Sequence, residues 1–144
     1  MHISGKWKVC DDGIRRPLID GEIQAFDGAW RQGEFLVDTG ADKTVFNAEL
    51  LAKLGFPPRF SEQRLSGVGG VAASMIVETK LALPREDGGN AIFRAQFSAF
   101  TELEALDMSV LGRDILGLFA LIVDQPGDVV CLLGQQHTYK IEQT

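Results

Sequence analysis

Two cysteines and two histidines in 144 residues leave little room for metal or disulfide chemistry. Cys10 and Cys131 stand far apart and without metal-ligand spacing, so buried or free thiols are expected rather than a zinc site or a disulfide framework, although a meeting of the two near the chain ends stays open. His2 and His137 are equally scattered and read as surface or structural residues. Basic charge is also in short supply. Fourteen Lys and Arg against twenty Asp and Glu give a net charge of −6, which opposes condensation on nucleic-acid phosphates or an anionic membrane. No apolar run approaches the roughly 18 residues of a membrane helix, and Met1 to Lys8 lacks the apolar core of a signal peptide. The expectation is a cytoplasmic protein that neither inserts into a membrane nor binds nucleic acid. Low-complexity tracts, linkers and internal repeats are missing as well, and the length suits one domain spanning residues 1–144.

Glycine is abundant, at sixteen residues, and with near-average apolar content it favours short strands and many turns. Leu18 to Phe26 alternates apolar and polar residues, Asp27-Gly28 signals a hairpin, and a second strand runs from Ala29-Trp30 to Asp38. Thr44-Val45-Phe46 reads as a short strand, Asn47 as the cap of a short helix over Ala48 to Leu54, and Gly55 as its stop, before Pro57-Pro58 extends the chain. Arg64 to Ala72 enters a long hairpin with a glycine-rich tip, Ala73 to Leu83 continues it, and Ala91 to Phe100 returns after the turn at Pro84 to Asn90. Ser109 to Gly112 is a further apolar strand, and Arg113 to Phe119 is expected to be the main helix. Leu121 to Asp124 and Val129 to Leu133 form a hairpin about Gln125-Pro126-Gly127-Asp128, with Thr138 to Ile141 a final edge strand.

One phrase carries chemistry. Phe35-Leu36-Val37-Asp38-Thr39-Gly40-Ala41-Asp42 delivers a carboxylate from an apolar strand into a tight glycine turn, a rigid mount suited to acid/base work. Proton sharing between carboxylates needs two of them. Neither a second Asp-Thr-Gly nor an Asp-Ser-Gly occurs.

With the glycine-rich tip at Gly67 to Gly70 and Val110-Leu111-Gly112-Arg113-Asp114-Ile115-Leu116, the phrase makes a set that resembles the retropepsins, the retroviral-type aspartic proteases, in order and separation. Arg16-Pro17-Leu18 is similar to that family's beginning, and the resemblance is strongest over residues 16–119. It implies a mainly β, half-barrel acid-protease fold with one lobe per chain and one short C-terminal helix. It also implies a homodimer acting on peptide or protein substrates without metal or organic cofactor, as a cellular or bacterial-type member. Asp38 is then the catalytic aspartate, with Thr39 fixing the opposed loops and Gly40 admitting substrate backbone. Gly40, Ala41 and Asp42 form the floor. Gly67, Val68, Gly69 and Gly70 form a flap. Asp42 and Arg113, with Gly112, brace the site through an ion pair. Lys43 reads equally as a pocket residue or a solvated one. Two features depart from the family pattern: residues 1–15 form a longer N-terminal arm, and residues 120–144 form a longer tail that offers interface strands. Asp114 stands where asparagine is often seen. Trp7 and Trp30 read as packing residues. The alternatives are a catalytically silent peptide-binding or dimerisation module and a self-processing precursor.

Overall fold

The protein is described here from a computed structural model covering residues 1–58, 64–67, 70–134 and 142–143, with backbone alone for 64–67 and 70–72. Ile3 is fully buried although it stands almost at the start of the chain. The reason is that β1 (His2–Ser4) lies antiparallel along β11 (Val129–Leu133), Ile3 opposite Leu132. After Gly5, β2 (Lys6–Val9) turns at Cys10 to Ile14 and pairs with β3 (Arg15–Gln24). Residues 1–15 are therefore built into two sheets.

Period-two alternation decides which face of each strand is buried. Ile19, Gly21 and Ile23 of β3 turn inward, as do Phe35 and Val37 of β4 (Trp30–Val37). The hairpin between them turns at Gly28, whose φ of 87° suits glycine. β5 (Val45–Phe46) leads into α1 (Ala48–Leu54), where the Asn47 side chain accepts from Leu50 N and Gly55 closes the helix at φ 68°. That combination of cap and left-handed stop is the one the sequence announces.

β6 (Arg64–Gly67) and β7 (Gly70–Pro84) pair up to Gly67 opposite Gly70. β8 (Asn90–Phe100) returns along β7 over its whole length. β9 (Ser109–Leu111) then runs parallel to β4, placing Leu36 beside Val110 and Val37 beside Leu111. α2 (Arg113–Leu116) follows. The expectation of a main helix over Arg113 to Phe119 is corrected: α2 is a single turn, and α1 is the longer of the two helices among the described residues. Gly117 accounts for the difference, since Gly117 N bonds Arg113 O and the next two amides make only short i−3 bonds, Leu118 N to Ile115 O and Phe119 N to Leu116 O. β10 (Ala120–Asp124) pairs with β11, completing a small sheet in the order β1-β11-β10. The expected strand at Thr138 to Ile141 lies outside the described residues, as does His137.

The larger sheet runs β2-β3-β4-β9-β5-β8-β7-β6, and an additional β3–β7 pairing, Glu22 with Ala82 and Ile23 with Leu81, curls it back on itself. The result is a partial barrel around an apolar core. Phe46 is central to it, meeting Phe35 edge-on at 6.0 Å and stacking on Phe97 at 5.1 Å. Each such ring, fully buried, contributes about 1.5–3 kcal/mol of apolar transfer free energy. The two cysteines are free thiols, Cys131 buried. Trp7 packs against the core and donates its indole N–H to Asp124 O at 3.2 Å and Val129 O at 3.1 Å, across the mouth of the β10–β11 turn.

Candidate active site

β4 and β9 end side by side, so the residues that follow them are brought together by strand pairing alone. Asp38 N bonds Leu111 O at 3.1 Å, extending the parallel ladder one step past β4. Because alternation continues through that step, the Asp38 carboxylate shares a face with Leu36 while Phe35 and Val37 turn to the core. The turn is then held by Ala41 N donating to Asp38 O at 3.2 Å and by Gly40 N donating to Asp38 Oδ1 at 3.0 Å. The other carboxylate oxygen has no partner among the described residues. A methyl group on Gly40 would come within 3.3 Å of Asp38 Oδ1, so a side chain there would press on the carboxylate itself. Thr39 and Gly40 are exposed, and Ala41 is half-buried beside them.

The second loop locks onto the first. Arg113 N donates to Ala41 O at 2.9 Å and Asp114 N to Asp42 O at 3.2 Å. The Arg113 guanidinium divides its fork, one nitrogen donating to an Asp42 carboxylate oxygen and the other to Thr39 O at 3.3 Å. The arginine thus joins a carboxylate to a main-chain carbonyl. Both side chains are more than half exposed, so solvent screens the pair and its energetic contribution is at most about 1 kcal/mol. Gly112 is required by space, since a Cβ there would lie 2.4 Å from Lys43 C and 2.8 Å from Thr44 N. Lys43 is solvent-exposed.

Beneath these exposed contacts sits a buried one that sequence reading passed over. Thr44 is 1% exposed; its hydroxyl donates to Asp114 Oδ1 at 2.8 Å and accepts from Gly112 N at 3.1 Å. Asp114 Oδ1 also accepts from Thr44 N and from Ile115 N, each at 2.9 Å. One carboxylate oxygen thus gathers three donors and ties the two loops across 70 residues of sequence. Neither Thr44 nor Asp114 carries a local sequence signal of the other, which stands 70 residues away.

A family profile described as aspartyl protease matches residues 24–136. The chain belongs to the aspartyl protease family. Its fold is that of the retropepsin-like members: the crystal structure of a retropepsin-like aspartic protease from Rickettsia conorii superposes with a TM-score of 0.56 at 22% identity, covering 92% of this chain and 90% of that one. EIAV protease complexed with the inhibitor HBY-793 aligns at 23% identity and a TM-score of 0.49, over 71% of this chain and 86% of that one. A search of curated proteins returns no match.

In this aspartyl protease family member the predicted flap residues fall on the β6–β7 hairpin: Gly67 and Gly70 face each other as its last pair, while Val68 and Gly69 lie outside the described residues. Among the described residues there is no cluster of His, Cys, Asp or Glu able to hold a metal ion, and no helix long and apolar enough to cross a membrane. Beside the Asp38 face, a cavity of about 630 Å³ opens between Leu36 and Val110 on one side and the β2–β3 turn on the other. At its rim Arg16 grips Asp12 through both oxygens at 2.8 and 2.6 Å. The Arg16 guanidinium, helped by the Ile14 N–H, pulls the Asp12 carboxyl down to about 2. Lys8 and then Lys6 likewise hold Glu34 below the usual carboxylate range.

Proposed function

We propose that the chain is an aspartic endopeptidase whose active site forms when two copies bring Asp38 to face Asp38 across a two-fold axis. The observation that carries this reading is the mounting of Asp38: one oxygen anchored on Gly40 N–H, the other uncommitted, at the end of two paired strands. A carboxylate so held is positioned for chemistry but is only half of what that chemistry needs. One Asp-Thr-Gly per chain makes the second copy part of the mechanism, and an isologous C2 contact brings identical loops together.

Two opposed carboxylates cannot both ionise cheaply, so one keeps a proton while the other is charged. The ionised member takes a proton from a water held between them, and the resulting hydroxyl attacks the scissile carbonyl carbon. The protonated member donates to the carbonyl oxygen as the tetrahedral centre forms. Collapse of that centre breaks the C–N bond, with a proton passing to the departing amine. Thr39 and Gly40 serve as the loop clasp and the open floor, Ala41 and Asp42 extend that floor, and Gly112 with Arg113 braces it. Gly67 to Gly70 close over an extended peptide bound as an added strand. No cofactor enters any step.

Hydrolysis of a mixed peptide library in the acid range tests the reading. Wild type is expected to cleave and Asp38→Asn to lose about 10²–10⁴-fold of that rate, with both sedimenting as dimers. Equal rates in the two proteins, or a folded wild-type dimer with no activity, would overturn the Asp38 peptidase reading.

A further inference from the structure

The cavity beside the Asp38 face has a floor and a rim of opposite character. Its floor is apolar: Leu36 and Val110, which are paired on the strands that lead into Asp38 and Gly112, together with Leu106 and Met108 from the segment before β9. Leu36 precedes Asp38 by two residues on the same face, about 7 Å along the strand. The cavity therefore opens two residues along the chain from Asp38, within reach of a side chain neighbouring the reacting position. A volume of about 630 Å³ falls within the range of small-ligand sites, about 300–1,000 Å³, and admits a long side chain.

The rim holds two cations and four carboxylates, and their pairing decides what is left over. Arg16 is engaged by Asp12 through both oxygens. Lys8 is engaged by Glu34 at 2.9 and 3.1 Å. Asp11 and Asp107 line the same cavity and neither carboxylate has a partner among the described residues. They come from opposite walls: Asp11 from the β2–β3 turn, Asp107 from the segment before β9, whose backbone is fixed by Asn47 Nδ2 donating to Asp107 O at 3.0 Å. The rim is thus left with two uncompensated negative charges above an apolar floor.

We infer that this cavity selects a substrate residue with an apolar stem and a cationic head, lysine or arginine, next to the scissile bond, and that Asp11 and Asp107 are its specificity-determining residues. The inference rests on the peptidase reading above and adds its substrate class. A long basic side chain lays its methylenes on Leu36, Met108 and Val110 and presents its charge at the mouth. A neutral side chain of equal length gains the floor alone, and an acidic one meets like charge.

The test uses the full-length chain and one peptide series that varies a single position beside the cleaved bond: arginine, lysine, norleucine and glutamate. Cleavage is expected to favour the basic peptides over norleucine by about fivefold in kcat/KM, the scale of an accessible ion pair, and the margin shrinks in high salt. In the Asp11→Asn/Asp107→Asn double variant the ratio of basic to norleucine cleavage falls to about one. Binding of the same peptides to Asp38→Asn, read by fluorescence anisotropy, separates the two ideas. A basic preference in binding that needs Asp11 and Asp107, without cleavage by wild type, supports the pocket and sinks the peptidase. Cleavage with no basic preference, or with one that survives in the double variant, overturns the pocket and leaves the peptidase standing. Neither binding nor cleavage overturns both.

Discussion

Thr44 does more for the site than its place among exposed neighbours indicates. Its hydroxyl is the hinge pin between the Asp38 loop and α2, donating to Asp114 and accepting from Gly112 N. Thr44→Val keeps the shape and removes both bonds, leaving a buried amide and a carboxylate short of donors, at a cost of about 1–3 kcal/mol. Urea unfolding measures it, with Thr44→Ser expected to restore most of the loss. Gly112→Ala acts by volume instead. Its methyl would meet the Lys43 and Thr44 backbone, so the loops separate, stability falls by about 1–3 kcal/mol, and peptide hydrolysis falls with it. Asp12 gives a pH-resolved prediction. Its carboxyl is held at about 2 against an ordinary 3.8, a depressed value, so its contribution is present above about 3.8 and disappears as pH falls through about 2. The stability difference between wild type and Asp12→Asn, followed by denaturant titration, should close over that acid window and stay constant from pH 5 to 7. A difference as large at pH 2 as at pH 5 would refute the pairing. At this level the sequence was legible where a turn is built locally, as in Asp38-Thr39-Gly40, whose Gly40 N–H reaches Asp38 Oδ1. It was not legible where one side chain meets another 70 residues away, because nothing local to Thr44 or Asp114 announces the other.

Elements were legible in proportion to how locally they are determined. α1 has its cap, its acidic first turn at Glu49 and its glycine stop within nine residues, so its boundaries follow from sequence alone. Asn47→Ala is expected to lower stability by about 1 kcal/mol, and thermal unfolding would register it. α2 misled because Arg113 to Phe119 has helical composition, yet Gly117 and the two short bonds after it end the helix at one turn. β1 and β2 escaped for the opposite reason. Three or four residues cannot display an alternation, and β1 exists only because β11 provides an edge for it. Ile3→Ala is therefore expected to cost about 2–5 kcal/mol in spite of its place near the start of the chain.

The molecule as a whole is a curled sheet closed by β3 against β7, with a smaller sheet drawn from both ends of the sequence. This arrangement fixes the Asp38 mount inside one copy, and under the proposed function its chemistry takes two. Activity should accordingly rise faster than linearly with protein concentration at high dilution and become proportional once dimers dominate. Strict proportionality down to the lowest concentration at which monomer alone is detected by sedimentation would contradict the shared site.

The pairing of β1 with β11 also sets a clock. During synthesis β1 emerges before its partner, which follows more than a hundred residues later; at about 5–20 residues per second, the interval is roughly 6–25 s. Through that interval Ile3 is an apolar side chain without a core, and the indole N–H of Trp7 lacks the carbonyls of Asp124 and Val129 that later receive it. The small sheet cannot close before β11 has left the ribosome. A nascent chain that stalls before Val129 therefore leaves the β1 edge unpaired and Ile3 without its cover.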